Sequence, residues 1–250
     1  MINPMDLTGK HFVVTGASSG IGAETARQIT RLGGKVSLIA RREDKLQEVV
    51  ESLDGQRGRY FLLDLSNPEE IASVIDQIFC EQGAFDGGVY AAGAPGAMSL
   101  KMSKPERLRK VALINYLSYV EFVRCITLKK YRAANMSVVG ISSAGSLHGS
   151  KGLTMYSSSK AAMNGAMLSM ARELAEYNIR VNTVIPGWVN TEFIDSVRGT
   201  DSFNKEFEMM QYIGKLLEPV DVANAVCFLL SDAGRFITGT ELLVNGGYLS

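Results

Sequence analysis

The chain predicts an α/β fold: one doubly wound domain, a seven-stranded parallel sheet flanked by helices on both faces. Three observations predict it. Short β-branched or apolar runs alternate with helix-period segments from the first strand to the last. A glycine-rich turn joins the first run to the first helical segment. No internal repeat, low-complexity tract or linker divides the 250 residues, a length that α/β folds reach as one unit.

The elements follow in order. HFVVT (11–15) reads as a buried strand, and a helix from about 20 to 32 follows, with Ile21, Thr25, Ile29 and Leu32 on one face and Gly33-Gly34 ending it. KVSLIA (35–40) is the second strand and EDKLQEVVESL (43–53) the second helix. RYFLLD (59–64) is the third strand, after which Ser66 and Glu69 have capping-box spacing for the next helix. FDGGVYAA (85–92) and MSVVGIS (136–142) are strands four and five, separated by one long helix near 105–128. A helix near 155–177, the strand RVNTVI (180–185), a helix near 219–230 and the strand TELLVN (240–245) complete the series. The irregular stretch 188–216, rich in Phe, Met and Tyr, is long for a connection and reads as a substrate-binding insertion.

Composition narrows the function classes. Basic and acidic residues number 26 each, so there is no basic excess of the kind that marks nucleic-acid or membrane-surface binders. Cys80, Cys125 and Cys227 lie far apart in apolar-periodic segments and read as buried free thiols of a reducing, cytoplasmic setting. With only His11 and His148, a histidine-built metal site is not expected. No apolar run reaches the ~18 residues of a membrane span, and MINPMDLTGK has no signal-peptide core.

VVTGASSGIG (13–22) supports two chemistries. Gly16-Ala17-Ser18-Ser19-Gly20 matches G-x-S-x-G, the turn that presents a hydrolase serine. Gly16, Gly20 and Gly22 also form a loop between strand and helix, where a pyrophosphate meets unpaired N–H groups and the positive helix end. The end of the second strand favours the cofactor reading. A carboxylate there would take a ribose 2′-hydroxyl, but Ala40 is followed by Arg41 and Arg42. Guanidiniums suit a 2′-phosphate, each charge-assisted hydrogen bond contributing about 1.5–3 kcal/mol. NADP(H) is therefore expected rather than NAD(H), with Arg41 the better candidate of the two.

YSSSK places Tyr156 and Lys160 four apart on one helix face. A nearby ammonium and a helix N-terminus favour phenolate and would draw the tyrosine pKa from ~10 toward 7 or 8. Ser143 sits just past the fifth strand, and Asn115 lies in the otherwise apolar LINYLSYV. A buried amide there needs partners.

Thr15-Gly16-x3-Gly20-Ile21-Gly22, Asp64, Asn115, Ser143, Tyr156-x3-Lys160 and Pro186-Gly187, in this order and spacing, resemble the short-chain dehydrogenase/reductase family, with a Rossmann-type fold. The closest general likeness is to 3-oxoacyl-carrier-protein reductases and related ketone reductases. The resemblance implies that Tyr156 protonates a carbonyl oxygen as hydride arrives from nicotinamide C4, or acts as base in reverse. It implies that Lys160 tunes the tyrosine and holds the nicotinamide ribose, Ser143 bonds the substrate oxygen and Asn115 anchors a water. Gly16, Ser18, Ser19, Gly20, Ile21, Asp64, Leu65, Ala92 and Gly93 would line the adenosine and pyrophosphate sites, and Pro186, Gly187, Val189 and Thr191 the nicotinamide. Enoyl reductases of this superfamily usually have six residues between tyrosine and lysine, and Leu153 also argues against that branch. Where the family usually shows Asn-Asn-Ala-Gly, this chain has Tyr90-Ala91-Ala92-Gly93, which removes the amides that brace the central strands.

His148, Met155, Trp188 and Phe193 are the candidate substrate contacts, with Met209, Met210 and Tyr212 further along the insertion. Their apolar character suits a ketone or acyl substrate with a hydrophobic body. By analogy with the family, a homotetramer or homodimer is expected. Two other readings stay open at this point: an NADP(H)-binding regulator with vestigial catalysis, and a hydrolase using Ser18.

Overall fold

The computed structural model describes residues 3–195 and 215–247. Seven strands form one sheet in the order β3-β2-β1-β4-β5-β6-β7. They are β1 (His11–Thr15), β2 (Lys35–Ala40), β3 (Gly58–Leu62), β4 (Phe85–Tyr90), β5 (Arg132–Ile141), β6 (Ile179–Pro186) and β7 (Glu241–Val244). Every pairing is parallel. The chain starts in the middle, winds out to β3, then returns to lay β4 on the other side of β1. That reversal opens a crevice beyond the carboxyl ends of β1 and β4, where open α/β sheets bind ligands.

Residue alternation in β1 explains the two-sided core. Val13 points into one apolar cluster, while Phe12 and Val14 point into the other. Helices α1 (Gly20–Arg31), α2 (Glu43–Glu51) and α8 (Pro219–Leu230) supply the second cluster through Ile29, Leu46 and Val226. Helices α3 (Ile71–Gln82), α5 (Ser118–Ile126) and α7 (Thr154–Leu174) supply the first through Ile75, Phe122 and Met163. Burial of an apolar side chain of this size contributes about 1.5–3 kcal/mol, which holds both helical layers to the sheet.

Three local expectations are corrected. The long helix near 105–128 is α4 (Pro105–Ala112), a π-helical segment (Leu113–Leu117) and α5, because the chain widens where Asn115 turns inward. Ser66 and Glu69 form no capping box: the Ser66 N–H donates to Asp64 Oδ1 instead, and a short 3₁₀ turn (Pro68–Glu70) precedes α3. Cys125 and Cys227 are buried, but Cys80 is exposed, off the Ile71-Ile75-Ile78 face of α3. No described helix is long and apolar enough to cross a membrane. Among the described residues, no cluster of three or more His, Cys, Asp or Glu could hold a metal ion.

Candidate active site

The glycine loop fits beneath the crevice for steric reasons. Gly16 has φ +65°, and a Cβ there would lie 2.6 Å from the Ala92 nitrogen. A Cβ on Gly22 would lie 2.4 Å from the Gly16 carbonyl oxygen. Side chains at either position would push β1's turn away from β4 and from the start of α1. Ala92 also donates its N–H to Thr15 Oγ1 at 3.4 Å, tying the ends of β1 and β4 together.

A cavity of about 580 Å³ runs along this edge. At one end lie Gly16, Ser18, Ser19, Gly20, Ile21, Arg41, Arg42, Asp64, Leu65, Ala92 and Gly93. At the other lie Ser143, Tyr156, Lys160, Pro186, Gly187, Trp188, Val189, Thr191 and Phe193. Residues as far apart in sequence as Gly16 and Phe193 thus share one groove.

The two arginines divide their work differently from the sequence expectation. Arg41 is drawn to Asp64 at 3.5 Å, with both side chains largely solvated. The Arg42 guanidinium lies across the glycine loop, donating to Ser19 Oγ at 2.7 Å and to Ser18 Oγ at 3.2 and 3.3 Å. It also pairs with Glu192 at 3.2 Å. Arg42 is therefore the guanidinium already seated on the loop. Ser18 Oγ accepts from Arg42, and no histidine lines the cavity, so this serine lacks the base a hydrolase requires.

Tyr156 sits in the first turn of α7, half-buried, with a side-chain hydrogen bond to Ser143. Ser143 stands just past β5 and accepts the Gly145 N–H at 3.2 Å. Burial pushes the Tyr156 phenol above its ordinary value, opposed by the Ser143 hydrogen bond. This corrects the expected fall toward 7 or 8. Lys160, 3% exposed, aims its ammonium at the Ile141 carbonyl oxygen at 2.6 Å. Burial brings that ammonium down to about 8.

Asn115 is fully buried and does not line the cavity. Its Oδ1 accepts the Ala94 N–H at 2.7 Å, and its Nδ2 donates to the Ala94 carbonyl at 3.1 Å and to Ser159 Oγ at 2.9 Å. The amide thus clamps the loop after β4 to helix α7. Ser159 is the partner the sequence reading passed over, although it lies inside YSSSK, three residues after Tyr156. Glu192 was also passed over, since nothing local ties it to an arginine 150 residues earlier.

Two expected substrate contacts fall outside the cavity. His148 is exposed at the end of the short helix α6 (Gly145–His148), its Nδ1 against the Gly149 carbonyl. Met155 is 2% exposed, its side chain turned into the protein because the helical step from Tyr156 rotates it away from the groove. Trp188 and Phe193 do line it, and the Phe193 ring lies 5.7 Å from that of Tyr156. Met209, Met210 and Tyr212 lie outside the described residues, as does most of the expected 188–216 insertion.

The family model described as Enoyl-(Acyl carrier protein) reductase matches residues 16–249. The 3-oxoacyl-[acyl-carrier-protein] reductase of Vibrio cholerae is 32% identical over 244 residues, 97% of this chain and 98% of that protein. The acetoacetyl-CoA reductase of an Acinetobacter species is 31% identical, covering 94% of this chain and 96% of that protein. A short chain dehydrogenase from Burkholderia cenocepacia, solved in complex with NADP, superimposes with a TM-score of 0.90 at 27% identity over 97% of this chain and 98% of its own. Together with the sheet order and the groove they describe, these likenesses establish that the chain belongs to the short-chain dehydrogenase/reductase family.

Proposed function

We propose that this protein reduces a ketone or 3-oxoacyl carbonyl to the alcohol with NADPH, or runs the reverse oxidation. The observation that carries the reading is the meeting of the Tyr156 and Ser143 hydroxyls at one end of a groove whose other end is the glycine loop and Arg42. The 3-oxoacyl and acetoacetyl thioester reductases among its relatives support the substrate class.

The groove suits the cofactor: its floor admits no Cβ at Gly16, and the end of β2 offers Arg41 and Arg42 with no carboxylate before them. Ser18, Ser19 and Arg42 would hold phosphate oxygens, Asp64 and Leu65 the adenine side, and Pro186-Gly187, Val189 and Thr191 the nicotinamide side. When bound, NADPH supplies the hydride. Two hydroxyls at the same end of the groove can both donate to one carbonyl oxygen, polarising the C=O before transfer. Tyr156 then gives its proton to the developing alkoxide, and a phenol kept protonated by burial is suited to act as that acid at neutral pH. Lys160, charged near pH 7, stabilises the phenolate left behind. Ala94, Pro95, Ala97, Leu153, Trp188 and Phe193 give that part of the groove an apolar wall.

The three-residue gap between Tyr156 and Lys160 favours carbonyl over enoyl reduction, despite the wording of the matching family model. An NADPH-oxidation assay across 3-oxoacyl thioesters, apolar ketones, quinones, keto-sugars and enoyl thioesters tests the proposal. Turnover should appear with the oxo substrates, and Tyr156→Phe should lower it by about 10²–10⁴-fold while NADPH still binds. Preserved turnover in Tyr156→Phe, or activity confined to enoyl thioesters, would sink the mechanism.

A further inference from the structure

The π-helical segment at Leu113–Leu117 is held from a strand. Tyr90, the last residue of β4 and fully buried, donates its hydroxyl to the Ile114 carbonyl oxygen at 2.6 Å. Its ring is wedged against Tyr119 and Phe122, with centroid separations of 5.5 and 5.7 Å. The Ser118 hydroxyl donates to the Leu65 carbonyl oxygen at 2.6 Å. A π turn is an uncommon widening of a helix, found mostly as a single turn and frequently at functional sites.

What the register of this turn sets is the next residue along. Asn115 grips Ala94 by two hydrogen bonds and reaches Ser159 Oγ, which in turn donates to the Tyr156 carbonyl oxygen at 2.7 Å. A continuous run of bonds therefore leads from the Tyr90 hydroxyl, across one peptide of the π turn, to the backbone of the residue proposed to donate the proton. We propose that Tyr90 is a positioning residue for the reaction: by bonding Ile114 it fixes the phase of the π turn, and through Asn115 and Ser159 it fixes the placement of Tyr156. The inference rests on the carbonyl-reductase reading above. It also answers what replaces an asparagine brace beside β4: a phenol that ties the strand to the π turn.

Tyr90→Phe removes one hydroxyl and keeps the ring, so the aromatic packing survives. Wild type, Y90F, Ser159→Ala, the double variant and Tyr156→Phe are compared for melting temperature, NADPH affinity by fluorescence titration, and kcat and KM with a 3-oxoacyl thioester. Y90F is expected to lower kcat about 5-fold or more, as a buried carbonyl loses its donor, while KM and NADPH affinity stay within about twofold. S159A is expected to do the same to a smaller extent, and the double variant to lose less than the product of the two, since both act on one chain of contacts. An unchanged kcat in Y90F, or a loss of NADPH affinity that parallels the loss of kcat, overturns the proposal. Multiplicative effects in the double variant overturn it as well. Should Y90F fail to fold, S159A decides alone: unchanged kcat rejects the placement role. If Tyr156→Phe retains full turnover, it is the reductase reading that fails, and the two failures are told apart.

Discussion

The Arg42 guanidinium bridges the glycine loop and the far wall of the groove, donating to Ser19 Oγ at 2.7 Å and pairing with Glu192 at 3.2 Å. Both partners of the ion pair are substantially solvated, so it contributes only about 0.2–1 kcal/mol. A phosphate arriving at Arg42 competes with that carboxylate. Glu192→Gln should therefore tighten NADPH about two- to fivefold at low salt, with the gain shrinking as ionic strength rises. Titration of NADPH at two salt concentrations checks it; weaker binding in the variant contradicts the competition.

Arg41 and Arg42 are not equivalent. Arg42→Ala should weaken NADPH relative to NADH by roughly tenfold or more, the loss of a charge-assisted phosphate contact. Arg41→Ala should cost less, because Arg41 must first leave Asp64. Dissociation constants for both nucleotides with both variants decide the order: equal losses would make the two arginines equivalent, and reversed losses would restore Arg41 as the main determinant.

Lys160 makes the fold's stability depend on alkaline pH. Its ammonium titrates near 8 in the fold against 10.5 in the open chain, so the unfolded state holds the extra proton between those values. Stability attributable to this residue is therefore lowest below about pH 8 and rises as pH climbs to 10.5, by about 3 kcal/mol in all. Denaturant unfolding of wild type and Lys160→Met at pH 7.5 and pH 10 reads it as a wild-type advantage that grows with pH. Parallel curves would show that the ammonium is not desolvated as described.

His11 produces the same trend in acid, stability again rising with pH. The ring is 4% exposed, lies between the Ala84 carbonyl and Ser37 Oγ, and is held by burial at about 4 rather than 6.5. The unfolded chain takes up a proton first, so stability present above pH 6.5 is lost as pH falls toward 4. Between pH 6.5 and 4.5 the loss is about 2 kcal/mol or slightly more. His11→Phe should be less stable at pH 7 yet show a flatter acid limb in urea unfolding; an unchanged slope would assign the acid sensitivity to other groups.

Much of this was legible in the sequence because it is local. The doubly wound parallel class needed only the alternation of apolar runs with 3.6-period segments, since a parallel crossover leaves few ways to pack, whereas the strand order came from the tertiary structure. The glycine loop, Ser143, Tyr156 and Lys160 were legible as fixed spacings next to strand ends, where the carboxyl edge is determined by the connectivity alone. The π turn was not legible: LINYLSYV has no residue that breaks a helix, and the Tyr90 hydroxyl that bonds the Ile114 carbonyl comes from β4, 24 residues away. The same holds for Glu192 on Arg42 and Asp64 on Arg41, pairs made by chain reversals that no spacing records.

The sequence by itself determined the fold class, because periodicity is a property of neighbouring residues, and its resemblance to a family pointed to most of the residues that line the groove. Only the tertiary structure decided which arginine rests on the loop, where the Asn115 amide spends its hydrogen bonds, and in which direction Tyr156 and Lys160 are shifted. Those depend on which groups are brought together and how much water is removed from between them, and both are set by packing across the sheet rather than along the chain.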